Sequence, residues 1–132
     1  MFIKLGLAIV FSGLIGLERE IKERPAGLRT HILVCLGATI FTILGYEAFA
    51  LSDALARMLS GIITGIGFLG AGTIINSDHR VHGLTTAAGI WVVSAVGIAL
   101  GLGYYFFALV ATAAIMIVLK LHTFEYKLHL KR

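Results

Sequence analysis

Four polar residues stand where long apolar runs end: Glu18, Arg29, Asn76 and Thr85. A carboxylate, a guanidinium, an amide and a hydroxyl at one membrane depth allow two kinds of chemistry. Glu18 and Arg29 could close an internal ion pair, with the oxygens of Asn76 and Thr85 completing a polar pocket. The same pocket could hold a hydrated cation, since Mg²⁺ keeps several waters and commonly takes one or two carboxylates. Residues 67–72 back this group and include Gly67, Gly70 and Gly72. Local unwinding there would turn backbone carbonyls toward a ligand, as broken helices do at binding sites. Enzymatic chemistry is not expected. The chain has no Walker loop, no Gly-x-Ser-x-Gly elbow, no His-Glu-x-x-His and no Cys-x-x-Cys. It is read as a non-enzyme without a resident cofactor, with Mg²⁺ as a ligand or substrate and the metal ligands unassigned. His79, His82, His122 and His129 lack metal-ligand spacing. Cys35 lies in an apolar run and reads as a small packing residue.

The elements that must position these residues are hydrophobic almost throughout. The 132 residues are 58% hydrophobic and 14% charged. A water-soluble domain of that size could not hide so much apolar surface. The expected class is therefore all-α: a polytopic membrane protein, one transmembrane domain over residues 1–132, built as a bundle of about five helices. A span needs about 20 apolar residues. Five stretches qualify, at residues 2–17, 32–51, 58–75, 84–100 and 104–121. The first lacks a basic n-region and a cleavage site, so it reads as a retained helix rather than a signal peptide. Residues 101–103, Gly-Leu-Gly before Tyr104 and Tyr105, read as a tight turn with tyrosines at headgroup level. Glu18 with Lys22 and Glu20 with Arg24 are i,i+4 pairs that extend the first helix. Pro25 should stop it, and Thr30 is the expected N-cap of the second helix. Residues 76–80 read as a turn or short loop.

Basic residues sort by side. Arg19, Lys22, Arg24, Arg29, Arg80, Lys120, Lys127, Lys131 and Arg132 fall on one face of a five-span bundle, against Lys4 and Arg57 on the other. The positive-inside rule then places the N-terminus outside and the C-terminus in the cytoplasm. The net charge of +4 is a topology signal of this kind and not a nucleic-acid surface. Arg19, Lys22, Glu23 and Arg24 read as solvated loop charges. Glu47 comes nearest to a carboxylate at mid-membrane depth but lies near a span end, which counts against a proton- or sodium-coupled carrier.

Glycine is concentrated in the third span. Gly61 with Gly65, and Gly97 with Gly101, form Gly-xxx-Gly pairs that let helix backbones approach closely in lipid. Ser12 with Gly16 and Thr85 with Gly89 are weaker versions. A homodimer or higher homo-oligomer is expected, with the Gly61/Gly65 face as the first candidate. The lipid bilayer is the surrounding solvent, and other membrane proteins are further possible partners.

Four segments carry a resemblance: LIGLERE (14–20), AGLRTH (26–31), SGIITGIGFLGAGTII (60–75) and VHGLTTAAGIW (81–91). In order and spacing the chain resembles the MgtC/SapB family of bacterial inner-membrane proteins. That resemblance implies an N-terminal membrane domain of about five helices, and a link to magnesium limitation, acid adaptation and intracellular survival. Members have been regarded as magnesium transporters, and some act by binding other membrane proteins, including the ATP synthase. Virulence-associated members also carry a soluble C-terminal domain resembling ACT modules. The sequence here stops at Arg132 after a short basic tail, so functions that need that domain are not carried over.

Overall fold

The computed structural model describes the backbone of residues 1–50, 52–77 and 80–129, and the side chains of these except 75–77, 80 and 122–129. Leu51, Asp78, His79 and residues 130–132, which include Lys131 and Arg132, lie outside the described residues. Five helices follow one another: α1 Phe2–Ile21, α2 Leu28–Phe49, α3 Asp53–Ala71, α4 Leu84–Leu102 and α5 Tyr105–His129. By length and composition α2, α3 and α4 can cross a membrane, and Tyr105–Leu121 of α5 is a shorter apolar stretch. At 1.5 Å per residue the 20 residues of α1 also span about 30 Å, but Lys4 and Glu18-Arg19-Glu20 load both of its ends with charge.

The helix ends depart from the sequence expectations in instructive ways. Helix α2 starts at Leu28 with Gly27 as its N-cap, so Thr30 lies inside the first turn and caps nothing. The cap comes from another helix: the Leu28 N–H donates to Oε2 of Glu20 at 2.8 Å. Glu20 therefore serves the N-terminus of α2, where negative charge is favoured, in place of the expected pairing with Arg24. Helix α2 ends at Phe49, and α3 begins at Asp53, five residues before the apolar run. After α3 comes a small antiparallel hairpin that composition read only as a loop, β1 Ile75–Ser77 against β2 Arg80–His82, with Asn76 opposite Val81. The turn before α5 is as expected but tighter. Gly101 is still helical, and Gly103 alone takes the left-handed conformation, at φ 88°, that ends α4.

Helix α4 is the hub, touching all four of the other helices. Its Ile90, Val93, Val96 and Leu100 are sealed against α1, α2 and α5 with Ile15, Cys35 and Ala108. Glycine makes the tightest part of this contact. A Cβ on Gly97 would lie 2.5 Å from the Cys35 carbonyl oxygen, and one on Gly101 would lie 2.5 Å from Cβ of Thr42. The Gly97/Gly101 pair thus packs α4 on α2 within one chain. Thr39 ties the same contact, its hydroxyl lying 2.8 Å from the Cys35 carbonyl and 3.0 Å from that of Gly97. Gly16 does the corresponding work between α1 and α2, where a Cβ would come within 2.8 Å of Cα of Leu28.

Candidate functional site

The charged end of the bundle is built by the last turn of α1, the residues 22–27 that follow it, the N-termini of α2 and α4, and α5 near Leu119. On α1 the buried residues are Ala8, Ser12, Ile15, Gly16 and Arg19. Their spacing is one helical stripe, so the geometry that buries Ile15 carries Arg19 inward with it. Its side chain is only 4% exposed. A guanidinium withdrawn so far from water needs a carboxylate, and it takes the adjacent Glu18 through both Nε and an Nη nitrogen. Lys22 approaches the other oxygen of Glu18 at 3.3 Å.

The expected Glu18–Arg29 bridge does not form. Glu18 is engaged by Arg19 and Lys22, while Arg29 is exposed on the first turn of α2. Arg19, read from sequence as a solvated loop charge, is instead the buried cation of the site. Asn76 sits on β1 opposite Val81, and its side chain lies outside the described residues. Thr85 does arrive where expected, in the first turn of α4, next to the buried Thr86. Helix α3 runs unbroken to Ala71, so no unwinding occurs at Gly67 or Gly70. The N–H groups of Gly72 and Thr73 use the carbonyls of Phe68 and Gly70.

Together these elements enclose an open pocket of about 730 Å³. Arg19, Lys22 and Arg24 line one side, Thr85 and Thr86 another, and α5 supplies an apolar wall at Val118 and Leu119. Among the described residues no carboxylate lines it. Its described lining is therefore basic, with Glu18 offsetting part of the charge on Arg19 and Lys22. Sequence reasoning could have found Arg19 from the i, i+4, i+7 stripe. It had no signal for Lys22 and Arg24 facing α4.

Next to this end His31 is fully buried. Its Nδ1 lies 2.9 Å from the Gly27 carbonyl, and its Nε2 has no partner. Among the described residues no group of three or more His, Cys, Asp or Glu could hold a metal ion.

A second feature lies along the helices. A wholly different groove of about 560 Å³ runs between α2 and α3, lined by Leu33, Gly37, Phe41, Gly61, Gly65 and Ile66 among others. A Cβ on Gly61, Gly65 or Gly67 would meet nothing within 4 Å, whereas Gly70 touches Ala87 of α4. Only 11% of the apolar window of α3 is buried, against 56% for α4.

Similarity to known proteins extends over nearly the whole chain. The MgtC family model matches residues 5–127. The chain is 37% identical over 136 residues to the Escherichia coli K12 protein named "Putative magnesium transporter YhiD", covering 96% of this chain and 62% of that protein. It is 39% identical over 122 residues to Protein SrpB of Synechococcus elongatus, covering 83% of this chain and 67% of SrpB. It is 43% identical over 112 residues to Protein MgtC of Brucella abortus, covering 84% of this chain and 46% of that protein. No solved structure matches the chain.

Proposed function

The chain belongs to the MgtC family, and from that premise we propose that it serves magnesium homeostasis in the bacterial inner membrane as an interaction module, packing against other membrane helices rather than conducting Mg²⁺. The observation that carries this reading is the uncovered face of α3. Lipid gives helices no hydrophobic drive to associate, so a glycine-lined apolar groove gains most when another backbone fills it closely. Gly61 and Gly65 have that open approach, while the similar pair Gly97 and Gly101 is already used inside the chain. A second copy of the chain is the first candidate occupant, and another membrane protein the second. The nine-to-two split of basic residues supports a cytoplasmic charged end and an outer N-terminus. The competing reading, Mg²⁺ transport, draws on the name given to the K12 relative. Against it stand the basic side chains in the described lining of the end pocket and the sealed contact between α2 and α4.

Two measurements decide the matter. Purified protein in liposomes loaded with a Mg²⁺-sensitive dye should admit Mg²⁺ no faster than empty vesicles. Protein-dependent, saturable entry would overturn the module reading. Gly65→Leu should leave the monomer folded, since its side chain enters open space, yet shift an oligomer toward monomer in detergent. Unchanged assembly in that variant would remove the Gly61/Gly65 face as the contact.

A further inference from the structure

We infer that the pocket at the charged end binds a phosphate group, either free in solution or as the headgroup of an anionic phospholipid. Three independent observations converge there. First, Arg19, Lys22 and Arg24 all line it, and no acid is among its described lining residues. Glu18 is shared between Arg19 and Lys22, Glu20 is taken by the Leu28 N–H, and neither lines the pocket. Glu18 offsets part of the charge on Arg19 and Lys22, and Arg24 adds a cation that pairs with no described carboxylate and can form charge-assisted bonds to an anion. Second, α4 points its N-terminus into the same space. It is 19 residues long, and its N-cap, Gly83, offers no side-chain cap. The N–H groups of its first turn lack helical partners, and the helix dipole adds partial positive charge.

Third, Thr86 is an anomaly. It is 3% exposed, and every other buried polar residue described has a hydrogen bond. Ser12, Thr39, Thr42, Ser94 and Thr112 bond to carbonyls of their own helix, His31 to that of Gly27, and Arg19 to Glu18. Thr86 alone makes none among the described residues, and it lines the pocket. Its hydroxyl is not one of the fully enclosed atoms without a hydrogen-bond partner, which among the described residues are Glu18 Oε1 and His31 Nε2, so it opens to the pocket and is available to a ligand there. An oxyanion would satisfy the Thr86 hydroxyl, the α4 amides and the guanidinium of Arg19 or Arg24 together. The apolar wall formed by α5 continues from buried Leu119 to the exposed Val118 and Leu121. An acyl chain attached to the phosphate could follow that surface into the bilayer, as expected for basic pockets between membrane helices.

The test uses the chain in nanodiscs of phosphatidylcholine alone, titrated with inorganic phosphate, and in nanodiscs containing phosphatidylglycerol. Thermal midpoint and calorimetric binding are read in each. A rise in midpoint with phosphate in phosphatidylcholine identifies the free anion. A rise only with phosphatidylglycerol identifies the lipid headgroup. Arg24→Gln and Thr86→Val should each weaken the effect about tenfold. Thr86→Val should also be no less stable than the native chain in plain phosphatidylcholine, because it removes an unbonded hydroxyl. Arg24 is exposed, so its variant reports on binding even if a change at buried Arg19 prevents folding. The inference is overturned if neither phosphate nor phosphatidylglycerol raises the midpoint, or if both variants respond as the native chain does.

Discussion

Gly97→Ala adds one methyl group to a helix, a change that normally stabilises by removing glycine's backbone entropy, by about 1 kcal/mol. Here the sign should reverse. The new Cβ would lie 2.5 Å from the Cys35 carbonyl oxygen and 2.9 Å from Cβ of Ala38. The first of these is backbone, so no rotamer change relieves the clash, and α4 must move away from α2. Overpacking of this kind costs about 1–3 kcal/mol. Separation also stretches the 3.0 Å bond from Thr39 to the Gly97 carbonyl, in an environment where interhelical hydrogen bonds average about 0.6 kcal/mol. After the propensity gain, a net destabilisation of about 1–2 kcal/mol is expected. Gly65→Ala is the matched control, since its Cβ meets nothing within 4 Å and only the propensity gain applies to the monomer. Reversible unfolding in mixed micelles, followed by helical circular dichroism, reads both. If Gly97→Ala proves as stable as Gly65→Ala, the close α2–α4 packing inferred from the glycine pair is wrong.

Three further outcomes follow from single contacts. Lys4→Met removes the ammonium that donates to the Gly101 carbonyl at 2.6 Å, near the C-terminus of α4. A loss of about 1 kcal/mol is expected in the same unfolding measurement, and an unchanged midpoint would mean that water replaces the contact without cost. Glu20→Ala removes the acceptor for the Leu28 N–H and should destabilise the start of α2 by about 0.5–1 kcal/mol, seen as faster amide exchange at Leu28 than at Val34. Reporter fusions should place the two termini on opposite sides of the membrane, with the C-terminal reporter active in the cytoplasm. Reporters on the same side would refute the reading of the basic residues.

Much of this protein was legible without coordinates. Hydropathy alone marks five apolar stretches, because a segment surrounded by lipid must satisfy its own backbone as a helix. The turn between α4 and α5 was visible in Gly101-Leu102-Gly103, since only glycine takes the left-handed conformation at little cost. Pro25 marked the break after α1 for a similarly local reason. Arg19 was within reach as well, standing on the same helical stripe as Ala8, Ser12 and Ile15, although its charge drew it into the wrong group.

What the tertiary structure decided is which of several equivalent local patterns meets a neighbour. Gly61/Gly65 and Gly97/Gly101 have the same spacing, yet one faces open space and the other presses on the carbonyl of Cys35. Glu20 had Arg24 within i,i+4 reach and instead caps a different helix. Glu18 took Arg19 and Lys22 rather than Arg29, because burying Arg19 makes its need for a carboxylate far greater than that of an exposed guanidinium. Helix formation depends on bonds within about four residues, so sequence specifies it locally. Partner choice depends on which faces the bundle turns toward one another, and that is a property of the whole packed chain.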